Sequence, residues 1–169
     1  LRVAYEEQRS VQTVALDSLN VARGEATPDQ IAIIDGESRL RRGQVDSLYM
    51  VESELLANSE ALGINVADGW RSLEQAASAR ANGLAGRLQL AQVDQARLRR
   101  ELADAERAGL SEDGTTRIRM ELGMLERLID DLSRTLGATS DFLDARGFET
   151  AGYRRLVIQA TGAVTGDIL

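Results

Sequence analysis

The chain is 169 residues long, with 43% apolar residues, 4% aromatics, 28% charged residues and a formal net charge of −7. It contains no cysteine and no histidine, and all 20 of its basic residues are arginine, which excludes Ser-His and Cys-His nucleophile pairs, Schiff-base lysines, imidazole metal ligands and a P-loop lysine. The acidic balance also argues against a nucleic-acid binder, which needs a basic surface to offset phosphate.

Leu and Ala dominate the apolar share and the only proline is Pro28, a composition suited to long helices rather than strands. Carboxylates, hydroxyls and arginines are the reactive groups left, with few aromatic or bulky residues to line a cleft. The expectation is a non-catalytic protein with no cofactor, no metal and no small-molecule substrate. No stretch approaches the roughly 18 to 20 apolar residues of a membrane span, and the opening LRVAYEEQRS has glutamates where a signal peptide needs an apolar core.

The first helix is expected over residues 1–23, free of breakers and stopping at Gly24. The second, over 28–62, opens on Thr27-Pro28-Asp29-Gln30, where Thr27 suits the cap, Pro28 the first helical position and Gln30 the reciprocal position of a capping box. Its apolar residues run through Ile31, Ile34, Val45, Leu48, Tyr49, Leu55 and Leu56 to Leu62. Gly63 is placed as a left-handed C-cap. Gly36 and Gly43 lie inside this helix and each weakens it by about 1 kcal/mol against alanine, so packing has to compensate.

A third helix is expected over 68–108, capped by Asn65 or Asp68. Its seam reads Trp70, Leu73, Ala77, Leu84, Leu88, Ala91, Leu98, Leu102 and Ala105, mostly at steps of three, four or seven. The run Arg97, Arg99, Arg100 sits among Asp94, Glu101 and Asp104, and reads as a solvated face with ion pairs. GLSEDG, residues 109–114, is a turn with Ser111 as the next cap. The fourth helix, over 112–146, carries Ile118, Leu122, Leu125, Ile129, Leu132, Leu136 and Leu143 at spacings of 4, 3, 4, 3, 4 and 7, a heptad seam that favours left-handed supercoiling. Asp130-Asp131 and Glu6-Glu7 are consecutive carboxylates that point to different sides of a helix and form no cation cage.

Short turns between long helices imply antiparallel neighbours. The expected fold is therefore all-α: an elongated antiparallel helical bundle of long coiled-coil-like hairpins over residues 1–146. Residues 147–169 are expected to form a short helix from Thr150, carrying Tyr153, Leu156, Val157 and Ala160, then a break at Thr161-Gly162 and a fresh apolar start. Leu1 and the apolar end at Leu169 are read as cuts in a longer protein.

The tail GFETAGYRR, residues 147–155, with Ala160-Thr161-Gly162 and Asp167-Ile168-Leu169, resembles the segment before the membrane helices of some bacterial small-conductance mechanosensitive (MscS-like) channels. The resemblance covers only about the last 23 residues. It implies a periplasmic helical domain on the inner membrane, part of a homo-oligomer (a heptamer in that family), which scaffolds or tunes a tension-gated pore outside this stretch. Gly147, Tyr153, Arg154 and Gly162 then become the joint to a following membrane domain, and the membrane is met through the parent protein. The alternative is a self-standing coiled-coil adaptor that recruits partner helices.

Overall fold

The computed structural model describes residues 2–109 and 111–165. Among these it holds five α-helices and no strand: α1 (Arg2–Gly24), α2 (Pro28–Ala61), α3 (Ala67–Arg107), α4 (Glu112–Ala145) and α5 (Ala151–Thr165). The protein is an all-α bundle whose strongest packing joins neighbours in sequence, α1 with α2 and α4 with α5. Its contacts divide it into two compact units, residues 1–77 and 78–169, and the division falls inside α3.

In the first unit the turns form where local chemistry dictates. Thr27 takes the N-cap position of α2, Pro28 follows at the first helical position, and Gln30 Oε1 accepts the Thr27 backbone N–H at 2.9 Å. Between the two candidate caps of α3, Asn65 does the work: its Oδ1 accepts the Ala67 N–H at 3.2 Å. Asp68 lies inside the helix and accepts from Arg71. Gly63 closes α2 with φ of +78°, donating to Glu60 O, while Ile64 donates back to Ser59 O.

The inward face of α2 is more polar than its apolar residues suggest. Val45 and Leu56 are buried, but so are Ser38, Arg42 and Glu52. They lie on one stripe, 38, 42, 45, 49, 52 and 56, whose alternating steps of four and three keep one helix face toward a neighbour. The facing stripe on α1 includes Arg9, which is buried with it. Arg9 Nε donates to Glu52 Oε2 at 3.2 Å, and its guanidinium lies 5.0 Å from the centre of the Tyr49 ring, within cation–π range. Nearer the turn, Arg23 clamps Asp35 with two bonds of 2.7 and 3.2 Å. Partners along α2 thus fall in number as those along α1 rise. The first turns of α3 join this unit through Ser72, which donates to Glu6 Oε1 at 2.9 Å, and Trp70, whose indole donates to Glu60 Oε2 at 3.3 Å.

In the second unit, the buried positions of α3 are Ala81, Leu84, Leu88, Ala91, Gln95, Leu98 and Ala105, at steps of three and four up to Leu98 and then seven, with half-buried Leu102 between. On α4, Leu122, Leu125, Ile129, Leu132, Leu136 and Leu143 are buried, Ile118 is half-buried, and Thr139 fills the seven-residue step between Leu136 and Leu143. Ser133, Thr135 and Ser140 are buried too. The hydroxyls of Thr135, Thr139 and Ser140 donate to carbonyls four residues back, which satisfies them without a partner helix. Arg99 reaches Glu126 at 3.5 Å and Arg119 reaches Glu106 at 2.7 Å, tying α3 to α4 through pairs whose numbers run in opposite directions.

Candidate functional site

Two of the four residues expected at the joint, Gly147 and Arg154, meet at the corner between α4 and α5. Here Gly147 adopts φ of +83°, a left-handed conformation that costs a residue with a Cβ and that glycine accepts freely. Its N–H donates to Asp144 O at 2.9 Å, and the next N–H, of Phe148, donates to Leu143 O at 3.0 Å. This pair of bonds is the Schellman closure, which satisfies carbonyls that the end of a helix leaves open. Gly147 is therefore the pivot that turns the chain out of α4.

Thr150 is buried just beyond it. Its hydroxyl donates to Asp144 Oδ1 at 3.3 Å and accepts from Arg154 Nε at 3.3 Å. Arg154 also reaches Asp141 Oδ1 at 3.3 Å and Asp144 Oδ2 at 3.0 Å. One guanidinium on α5 thus spans two carboxylates on α4, with the Thr150 hydroxyl as a second link between Arg154 and Asp144. Glu149 Oε1 accepts the first amide of α5, Ala151 N–H, at 2.9 Å. Behind this polar clasp, Leu156 and Ala160 are buried. Tyr153 points elsewhere: its phenol donates to Asn82 Oδ1 on α3 at 2.5 Å. α5 is pinned to α4 by charge and apolar contact and to α3 by a hydrogen bond.

Gly162 does not belong to this cluster. The expected break at Thr161-Gly162 is not found, because α5 continues through it to Thr165. The physical reason is that one glycine raises the cost of a helix by only about 1 kcal/mol, and no proline or left-handed residue follows to stop it. The Thr161 hydroxyl donates to Val157 O at 2.9 Å, and a Cβ added at Gly162 would meet nothing within 4 Å. The remaining tail motif, Asp167-Ile168-Leu169, lies outside the described residues. Of the four residues expected at a joint, Gly147 and Arg154 lie at this corner and Tyr153 bonds α3, and their partners include three that sequence reasoning did not single out: Asn82, Asp141 and Asp144. Asp141 and Asp144 lie ten to thirteen residues before Arg154 across a glycine turn, a spacing that signals a corner clasp; Asn82 lies 71 residues away and carries no local signal.

The seam residues of α4 form a packing surface. Around them, Arg97 pairs with Asp94 and Glu101 on its own helix, the solvated arrangement the sequence suggested. Among the described residues no group of three or more carboxylates is placed to hold a metal ion, and no helix is long and apolar enough to cross a membrane. No protein-family model, no curated protein and no solved structure matches the chain.

Proposed function

We propose that this chain is a non-catalytic helical domain that scaffolds or tunes a tension-gated pore lying outside it, as the periplasmic helical extensions of MscS-like channels do. In this reading it sits on the periplasmic side of the bacterial inner membrane as part of a larger homo-oligomeric membrane protein, a heptamer by the same resemblance. Its helices pair as antiparallel coiled-coil-like hairpins. What supports that pairing is the four-three spacing of buried residues on α2, α3 and α4, with ion pairs that run in opposite chain directions.

The observation that carries the functional reading is the clasp on α5. Arg154 and Tyr153, within the tail that resembles the channel family, hold α5 against two other helices. A displacement of the chain beyond α5 is then passed to α4 and α3 rather than absorbed by a loose tether. Exposed ion pairs each contribute only about 0.2 to 1 kcal/mol, so the clasp is a contact that modest force can open. The test is made in the full-length gene product. Removing residues 1–146 leaves a conducting pore with a shifted gating tension in patch recordings. Recordings and osmotic-downshock survival indistinguishable from the intact protein would remove the regulatory role.

A second reading, a self-standing coiled-coil adaptor with no channel, is favoured by the large apolar residues that α1 and α2 leave exposed.

A further inference from the structure

An open groove of about 650 Å³ runs between α1 and α2, lined by residues that include Ala4, Val11, Gln44, Ser47, Leu48 and Val51. It lies on the far side of the two-helix layer from the first turns of α3. Those turns bond Glu60, and Glu60 is nine residues from Val51, two and a half helical turns and hence on the opposite face of α2. On α1 the same holds for Glu6, which Ser72 bonds, and Gln8, which lines the groove: two residues apart on a helix is a rotation of about 200°.

The groove continues along α2 as a regular stripe. Ile33, Leu40, Gln44, Ser47 and Val51 follow one another at steps of 7, 4, 3 and 4, the spacing with which a helix presents one face to another helix. Their apolar members are exposed: Ile33 is 74% accessible, Leu40 59% and Val51 41%, with Val11 across the groove at 63%. Single exposed apolar residues need no explanation, but exposed apolar residues recurring on one helix face beside an open groove are what a partner helix packs against.

Charge selects the occupant. Residues 1–77 hold 7 arginines against 13 carboxylates, a formal charge of −6, whereas the whole chain carries −7. Exposed carboxylates lie in and in line with it: Glu7 lines the groove on α1, and Asp29 and Glu54 stand four residues before and three residues after the ends of the α2 stripe. Arg41, three residues before Gln44, is committed to Glu37 at 2.8 Å and to Gln12 at 2.9 Å. A second copy of this unit would set −6 against −6 and repel. We propose that the groove receives an amphipathic helix from a partner, with apolar residues at i, i+3 or i+4 and i+7 and with arginine or lysine on its flanks. This holds whether or not the parent is a channel, because it rests on the first unit alone.

The test is binding of labelled peptides of about three heptads to the 169-residue chain, read by fluorescence anisotropy. One peptide has leucine at the seam and arginine on the flanks, a second has the same seam with glutamate flanks, and a third keeps the arginines but carries serine at the seam. The proposal expects the first to bind with an affinity that falls as salt rises, and the other two to bind at least about tenfold more weakly. Leu40→Ser and Val51→Ser, both at exposed positions, weaken the first peptide by a similar factor. Met50→Ser, exposed but about 100° round the helix from Val51, leaves it unchanged. Equal binding of all three peptides, no binding of the first, or an equal loss in Met50→Ser overturns the proposal. So does sedimentation showing a dimer that Leu40→Ser dissociates, which would give the groove to a second copy.

Discussion

The phenol of Tyr153 on α5 and the side-chain oxygen of Asn82 on α3 are joined by a 2.5 Å hydrogen bond across 71 residues of sequence. With the Arg154 clasp, it fixes α5 within the second unit, to α3 and to α4, at two points that do not share a partner. Tyr153→Phe removes the bond and keeps the ring. Asn82 is exposed, so water replaces the lost donor and the cost is near the low end of about 0.5 to 1.5 kcal/mol. Amide hydrogen exchange should quicken in α5 while the α4 core stays protected. Uniform loss of protection would mean that α5 has no opening of its own.

Arg154→Ala removes the links to Asp141, Asp144 and Thr150 together. The guanidinium is half exposed, so the loss is about 1 kcal/mol at low salt and shrinks as salt screens the pair. Chemical denaturation at low and high salt measures it. A loss independent of salt would assign the effect to the packing of the arginine stem instead.

Arg9 and Glu52 are the opposite case. The two side chains are 7% and 0% accessible, so removing one partner strands charge in the interior of the first unit. Glu52→Ala is expected to cost about 3 to 5 kcal/mol, whereas the double change Arg9→Met with Glu52→Leu recovers most of it. A double-mutant cycle by urea denaturation reads the difference. If the double variant is as weak as the single one, the pair contributes more than mutual charge compensation.

Gln95 occupies a leucine-like position on α3, seven residues after Leu88 and seven before Leu102. It is 4% accessible, and its Nε2 has no hydrogen-bond partner. Gln95→Leu should stabilise the protein by about 1 to 3 kcal/mol, since an unsatisfied buried polar group is removed and apolar area is gained. Thermal unfolding shows the gain as a higher midpoint. A lower midpoint would mean that the glutamine is held by an ordered water or a second conformation of the helix pair.

The two glycines of the tail separate cleanly. Gly147→Ala forces a Cβ into the left-handed region and is expected to cost about 1 to 2 kcal/mol. Gly162→Ala, in an open and helical position, is expected to stabilise by about 0.5 to 1 kcal/mol. Circular dichroism and denaturation of the two variants should move in opposite directions. A loss on Gly162→Ala would restore a hinge there.

The helices themselves were legible because their signals are local. Thr27-Pro28 starts α2, Gly63 and Gly147 close helices, and the apolar residues of α4 keep heptad spacing from Ile118 to Leu136. The polar half of the interior was not legible in the same way. Arg9, Ser38, Arg42, Glu52, Gln95 and Thr139 all stand at seam spacing, but reading the seam from apolar residues alone passes over them. The pairing of Arg9 with Glu52 spans 43 residues, so only the register of α1 against α2 reveals that a charge at such a position is compensated. The corner clasp was half legible: Gly147, Tyr153 and Arg154 stand out in the tail, while Asn82 is found only when α5 lies on α3. Gly162 misled because glycine in a helix is a cost and not a stop. The stripe on α2 is masked in the sequence because its glutamine and serine break the apolar run.

The most direct test of the channel reading is the size and membrane association of the native gene product, probed with an antibody raised against this chain. The account predicts a product much larger than 18.4 kDa that stays with membranes through alkaline extraction and is released by detergent. A product near 18.4 kDa that washes freely from membranes would contradict it and leave the helical adaptor.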